Sequence, residues 1–321
     1  MDLLTVSGIS KKDETGFELH NISFSVASFQ KIAIAGETGS GKSTLLKIIA
    51  GLAQPDSGTV FFNGEKVVGP HDKLIPGHKS IAYLSQHFEL RNKYRVEEEL
   101  DYLNQMTGAD AETIYEICRI RHLLKRWTNQ VSGGERQRIV LARLLVSAPK
   151  LLLLDEPFSN LDLIHKNILK AVISDISDKF GITCMFVSHD AQDILSWADD
   201  IIVMKAGSIV EIGSPQKIYQ TPCNEYIAGL FGKYNLLPAT TLYNNTPLDG
   251  KKIFLRPEQL RISHTEGTLK GQIKEIRFLG DCYEIEVIFS EGIIVIQSQH
   301  NHYAKGEMVG VLVAEGKVWY I

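Results

Sequence analysis

The chain has 321 residues, with 34 Lys and Arg against 38 Asp and Glu and a formal net charge of -4. That length holds one large domain or two, and the near balance of charge argues against a dedicated nucleic-acid binder. Its four cysteines include no pair at zinc-ligand spacing and no apolar run approaches the roughly 20 residues that cross a bilayer, so the composition reads as a cytosolic protein that meets membranes only through a partner or its surface.

Residues 3–6 and 17–26 read as strands around a polar turn at 11–16. Phe17 is either an aromatic platform beneath a nucleotide base or a core residue of its strand; the core reading is preferred. Residues 31–35 are an apolar run, a buried strand, and 45–50 read as a helix. Between them, Gly36-Glu37-Thr38-Gly39-Ser40-Gly41-Lys42-Ser43-Thr44 fits the phosphate-loop pattern G-x-x-x-x-G-K-[ST]. Its glycines let backbone N–H groups turn toward an anion, and the helix N-terminus adds partial positive charge. Lys42 can reach outer phosphates and Ser43 can ligate Mg²⁺.

A turn cluster at 51–58 leads to a strand at 59–62 that ends in a tight hairpin turn, Asn63-Gly64. A further strand, 80–85, delivers Gln86 at its carboxyl end, where a polar residue of an α/β sheet faces ligand. From 87 to 130 the texture becomes that of a mostly helical insert, with helices over 97–100 and 111–127. Ile114, Ile117, Cys118, Leu124 and Trp127 recur there at helical spacing. The run Glu97-Glu98-Glu99 reads as a solvated face.

Val131-Ser132-Gly133-Gly134-Glu135 precedes a helix over 136–146. Ser132 and Glu135 have capping-box spacing, and the paired glycines expose further N–H groups to an anion. Four leucines, 151–154, suit the centre of a parallel sheet. They end in Asp155 and Glu156. Opposite a phosphate loop, Asp155 suits Mg²⁺, directly or through water, and Glu156 suits orienting and deprotonating a water. Residues 159–162 cap a helix over 163–179, and a strand at 183–187 brings His189 to the same edge. The alternation to about residue 231 predicts a mostly parallel α/β sheet. Beyond 232, short strands at 256–258, 271–278, 283–289, 293–297 and 309–314 predict a small β-barrel-like domain, with the boundary near 232–240.

Taken in order, these motifs resemble the ATPase subunit of ABC transporters. Residues 36–44 look like its Walker A loop, Gln86 like the Q-loop glutamine, and 131–135 like the signature sequence. Val131 and Glu135 stand where leucine and glutamine are usual. Residues 151–156 look like Walker B with its adjoining glutamate, 159–162 like the D-loop, and His189 like the switch histidine. Residues 198–222 follow the importer subgroup. Phe254-Leu255-Arg256-Pro257-Glu258 and Phe278-Leu279-Gly280 resemble the appended OB-like TOBE domain, so the resemblance spans essentially the whole chain.

The resemblance implies a RecA-like P-loop NTPase core over 1–232 with a helical insert at about 87–130, then an all-β TOBE regulatory domain over 233–321. It implies an ATP-hydrolysing importer subunit at the cytoplasmic face of the membrane, peripheral, with iron, polyamine or oxyanion cargo. Its implied partners are permease subunits, a second copy of itself and, indirectly, a solute-binding protein, with no nucleic acid. ATP would meet the residues 36–44, Gln86 and Phe17, with Ser43, Gln86 and Asp155 around Mg²⁺. Glu156 would be the general base, and His189 would stabilise the transition state. Ser132, Gly133, Gly134 and Glu135 would act from the second copy, beside the D-loop Asp162. A cleft lined by His87, Phe88, Leu90 and Tyr94 would receive a permease helix. A soluble ABC protein of translation or repair is the rival reading, but the chain has neither a second module nor long coiled-coil insertions. A kinase or GTPase would give no reason for the stretch from Ser132 to Glu135.

Overall fold

The computed structural model describes every residue except 1, 14–15, 86–87, 160, 239–251, 265–266, 268 and 314–318. It divides into two compact units, residues 1–215 and 216–321. In chain order the first runs β1 (Asp2–Lys12), β2 (Glu18–Ala27), β3 (Lys31–Ala35), α1 (Lys42–Ile49), β4 (Ser57–Phe62), β5 (Glu65–Lys66) and β6 (Ile81–Leu84). There follow α2 (Val96–Asp101), α3 (Gly108–Ile117), α4 (Gly133–Leu145), β7 (Leu151–Asp155), α5 (Leu163–Phe180), β8 (Thr183–Val187), α6 (Ala191–Leu195), β9 (Asp200–Lys205) and β10 (Ser208–Gly213).

Its main sheet has the order β10-β9-β3-β8-β7-β6. The pairs β3–β9, β3–β8, β7–β8 and β6–β7 are parallel, and β10 runs antiparallel at one edge. Parallel strands covered on both faces must be apolar throughout, and Leu151, Leu152, Leu153 and Leu154 are all 0% exposed. Parallelism also puts the carboxyl ends of β3, β6, β7 and β8 along one edge, where the chain leaves each strand with a chemically active residue.

A second, four-stranded antiparallel sheet, β2-β1-β4-β5, covers the same unit. Leu4, Leu19, Leu45, Ile49 and Phe62 belong to one apolar cluster with residues of β3 and β7. The β4–β5 hairpin turns through Asn63 (φ 51°) and Gly64 (φ 80°), the two positive angles of a type I′ turn. Strand β1 reaches into the expected polar turn, with Lys12 pairing with Glu18.

The insert departs from the sequence reading in two places. The helix expected over 111–127 stops at Ile117, because Arg119 takes the left-handed region at φ 55°. Trp127 is 40% exposed, with the Arg95 guanidinium 5.2 Å over its ring. The glutamate run is not one solvated face either, since Glu99 is fully buried. Its two carboxylate oxygens are taken by Arg91 Nε (2.7 Å) and Arg143 Nη1 (2.5 Å). A turn of helix must point one of three consecutive residues inward, and two arginines make that position tolerable for an acid.

The second unit holds α7 (Pro215–Gln220), α8 (Glu225–Leu230), β11 (Asn235–Pro238), β12 (Lys252–Leu255), β13 (Leu260–Ser263), β14 (Leu269–Phe278), β15 (Tyr283–Phe289), β16 (Gly292–Ser298), β17 (Met308–Val313) and β18 (Trp319–Tyr320). A five-stranded sheet, β13-β17-β14-β15-β16, and a three-stranded one, β11-β12-β18, enclose an apolar core that includes Ile253, Ile273, Ile285 and Val311. Residues 257–259 form a 3₁₀ turn rather than the expected strand, with Pro257 at its first position. Arg256, 1% exposed, donates to the carbonyls of Tyr219, Ala228, Gly232 and Lys233 and so fastens α7 and α8 to these strands.

Candidate active site

The phosphate loop is shaped by its close neighbours. Gly41 sits at φ 97°, and a Cβ there would lie 2.6 Å from Phe17 Cζ and 2.5 Å from Leu19 Cδ2. Only glycine meets both demands. Phe17 therefore packs on the loop and on the apolar cluster at once, as the core reading expects. Lys42, 7% exposed, donates from Nζ to the carbonyls of Gly36 (2.8 Å) and Glu37 (2.7 Å) and to Ser40 Oγ (3.3 Å). Burial pushes its pKa below the usual lysine value, against the opposing pull of Glu156, Asp155 and Glu37. A buried ammonium surrounded by carbonyls is poised for a stronger anionic partner.

Across from the loop, Asp155 is 5% exposed and uses both oxygens. Ser43 Oγ donates to Oδ1 at 2.8 Å, and Tyr83 Oη donates to Oδ2 at 2.8 Å. Tyr83 was not singled out from sequence; its strand β6 pairs with β7 at Tyr83–Leu153. Burial and then the Asp155 hydrogen bond raise its pKa far above the ordinary phenol value, so it remains a donor. Next in the chain, Glu156 takes φ 50°. A left-handed backbone at a glutamate costs about 1–3 kcal/mol, and here it turns the side chain out of the sheet edge. Glu156 Oε2 lies 3.8 Å from His189 Nδ1. Both line a cavity of about 320 Å³ with Ser159, Ser188, Lys166 and Asp190. Lys166 bonds Asp190 and Asp193, joining α5 to the start of α6 immediately after His189.

The glycine pair lies in a different place. Ser132 caps α4: its Oγ accepts from Glu135 N at 3.3 Å, and Glu135 Oε2 accepts from Ser132 N at 2.8 Å, the complete capping box. The Ser132 amide, first among several donors, holds the Glu135 carboxyl below the usual range. Ser132, Gly133, Gly134, Asp162 and His165 line a cavity of about 640 Å³ that includes no residue of the phosphate loop. Phe88 lines this cavity too, and Tyr94 lies against the Arg91 guanidinium, 4.5 Å away. Asp162 caps α5 by accepting from His165 N at 2.9 Å. The structure thus brings Lys42, Ser43, Asp155, Glu156 and His189 to one sheet edge and places the signature residues with Asp162 elsewhere. Gln86 and His87 lie outside the described residues.

Residues 19–159 match the ABC transporter family. The chain belongs to that family. Residues 253–321 match the TOBE domain. A sulfate/thiosulfate import ATP-binding protein CysA of Mesostigma viride is 33% identical, the alignment covering 88% of this chain and 86% of that one. The Fe(3+) ions import ATP-binding protein FbpC of Escherichia coli O157:H7 is 29% identical (92% and 90% covered), and the spermidine/putrescine import ATP-binding protein PotA of Clostridium acetobutylicum is also 29% identical (96% and 93%). A solved structure of cbiO1 from Clostridium perfringens, part of the ABC transporter complex cbiONQ, superposes with a TM-score of 0.61 at 25% identity, covering 68% of this chain and 90% of that one. The chain is an importer-type ABC ATPase with a TOBE domain, binding ATP and coupling its hydrolysis to transport. Among the described residues, no helix is long and apolar enough to cross a membrane.

Proposed function

We propose that two copies of the chain bind two ATP molecules between them, each site built from the phosphate loop of one copy and the signature stretch of the other. The observation that supports this most is the separation of the half-sites: the cavity at Ser132, Gly133 and Gly134 contains none of residues 36–44. In each site Lys42 exchanges its carbonyl partners for the outer phosphates, whose negative charge offsets the burial of its ammonium. The α4 N-terminus of the facing copy closes over the γ-phosphate with the amides behind Ser132. Glu156 takes a proton from the attacking water, and His189, within 3.8 Å of it, holds the developing charge. A hydroxyl and a carboxylate oxygen 2.8 Å apart, Ser43 and Asp155, fit the hard oxygen donors that Mg²⁺ prefers. When bound, Mg²⁺ would neutralise charge between the β- and γ-phosphates. Gln86 is assigned to the same sphere, and Glu135 serves the site as the cap of the signature helix.

The permease meets the first unit at an apolar groove of about 630 Å³ lined by Leu52, Ile75, Pro76, Ile81, Leu103 and Leu144. Ile75 is 75% exposed, and neighbouring Leu74 is 99% exposed. Such aliphatic exposure beside a groove suits the packing of a partner helix. The ATPase therefore works at the cytoplasmic face, peripheral to the membrane, with a solute-binding protein feeding the permease. The cargo is an ionic solute of the class that names the relatives: an oxyanion first, then ferric iron or a polyamine. The soluble non-transport reading gives that groove no occupant. Uptake of labelled sulfate, thiosulfate, ferric citrate and spermidine in a deletion strain tests the proposal. Complementation by the native chain restores uptake of one of them, and Glu156→Gln does not. Uptake restored by Glu156→Gln, or unchanged by the deletion for all four, overturns it.

A further inference from the structure

His165 has no part in the motifs, yet it stands between two of them. It occupies the first turn of α5, three residues after the cap Asp162. Its Nδ1 lies 2.6 Å from Asp162 Oδ2, while the other carboxylate oxygen, Oδ1, accepts from the His165 amide. Each oxygen of Asp162 thus has a His165 nitrogen within hydrogen-bond distance. The far side of the ring lies against the signature: a Cβ built on Gly134 would be 2.7 Å from His165 Cδ2 and 3.4 Å from Nε2. Gly134 does not have a positive φ. Its missing side chain therefore makes room for the imidazole rather than for an unusual backbone. Gly133, by contrast, has nothing within 4 Å of its Cβ position, so its side faces open cavity, where an incoming phosphate has space.

We infer that His165 is a positioning residue for the half-site offered to the second copy, locking the D-loop carboxylate and the signature glycine into one rigid unit. This rests on the two-copy reading proposed above. The physical reason is preorganisation. In that reading Asp162 and the Ser132–Gly134 turn approach the partner together. If each were free to move, closing the site would have to order both; a ring bonded to one and packed on the other removes that cost in advance. Leucine in place of His165 would fill similar space beside Gly134 but release Asp162 Oδ2. Asparagine would keep a donor where Nδ1 stands, without the ring.

The test uses full-length chain carrying Glu156→Gln, in which bound ATP persists, with monomer and dimer followed by sedimentation over an ATP series. Adding His165→Leu is expected to raise the ATP concentration for half-dimerisation about tenfold, the scale of one lost hydrogen bond to a charged group. His165→Asn is expected to recover most of that loss. With Glu156 present, His165→Leu should raise KM for ATP by a similar factor and leave kcat within about twofold, the split expected when assembly rather than chemistry is weakened. Melting temperatures of the variants are read alongside and should fall by no more than about 2–4 °C, the scale of one lost hydrogen bond in a domain of this size, which separates positioning from loss of fold. Half-dimerisation of His165→Leu at the parent's ATP concentration overturns the inference, as does failure of His165→Asn to differ from His165→Leu. A Glu156→Gln parent that stays monomeric overturns the two-copy reading, and the inference falls with it.

Discussion

At the scale of single residues, the candidate site is a set of polar groups that already satisfy one another. Lys42 is buried among carbonyls with its pKa lowered. Asp155 is shared between Ser43 and Tyr83, and Glu156 is held at φ 50°. The strained backbone makes sense if the Glu156 carboxylate must face His189 and a water instead of continuing the strand. Replacing Glu156 by Gln is expected to lower ATP turnover about 10²–10⁴-fold while ATP affinity stays near the native value. Steady-state phosphate release and equilibrium titration with ATP measure the two quantities separately. Lys42, Ser43, Asp155, Glu156 and His189, the residues that meet at one sheet edge, were legible as candidates because each proposed chemistry demands a residue type at a fixed offset from a strand end. Tyr83 and His165 were not, because a tyrosine inside a strand and a histidine inside a helix carry no such spacing signal. Their roles come from what β7 and α4 place beside them.

At the scale of elements, the proposed two-copy site places helix ends against the nucleotide, and their caps carry a pH signature. The Glu135 carboxyl lies below its ordinary range because the Ser132 amide and hydroxyl bond its charged form. A depressed carboxylate contributes stability that is fully present above its unfolded value, near pH 4.3, and is lost as pH falls through the folded value. The difference in melting temperature between the native chain and Glu135→Gln should therefore be constant from about pH 5 upward and shrink below pH 4. Thermal scans across that range check it. The capping box was readable from four residues, 132–135. The insert was less readable, because its outcome depends on partners distant in sequence. Nothing local distinguishes Glu99 from Glu97 and Glu98; Arg91 and Arg143, one before it and one in α4, decide which acid is buried. Glu99→Ala leaves two arginines facing each other, and a cost of about 3 kcal/mol is expected, at the low end for breaking a buried pair because Arg91 reaches solvent. Denaturant unfolding reads this as a lower midpoint.

At the scale of the whole molecule, the parallel order of the central sheet explains why the phosphate loop, Asp155, Glu156 and His189 converge on one edge. Strand–helix alternation announced that order, so the core was visible in the sequence. The packing of α7 and α8 onto the C-terminal strands was not, because it hangs on the buried guanidinium of Arg256, which looks like an ordinary surface residue in one dimension. The groove proposed for the permease belongs to this scale too. Ile75→Asp with Leu103→Asp should abolish co-purification with the permease, while the separated chain keeps its melting temperature and its affinity for ATP; both substituted side chains are already at least 37% exposed. The central claim, however, is that one chain holds only half of each ATP site. Sedimentation of the Glu156→Gln chain with and without saturating Mg-ATP tests it most directly. A doubling of sedimenting mass with ATP, reversed by adding Ser132→Arg to the same chain, is the expected result. A chain that binds ATP with native affinity and remains a monomer at every concentration would contradict it.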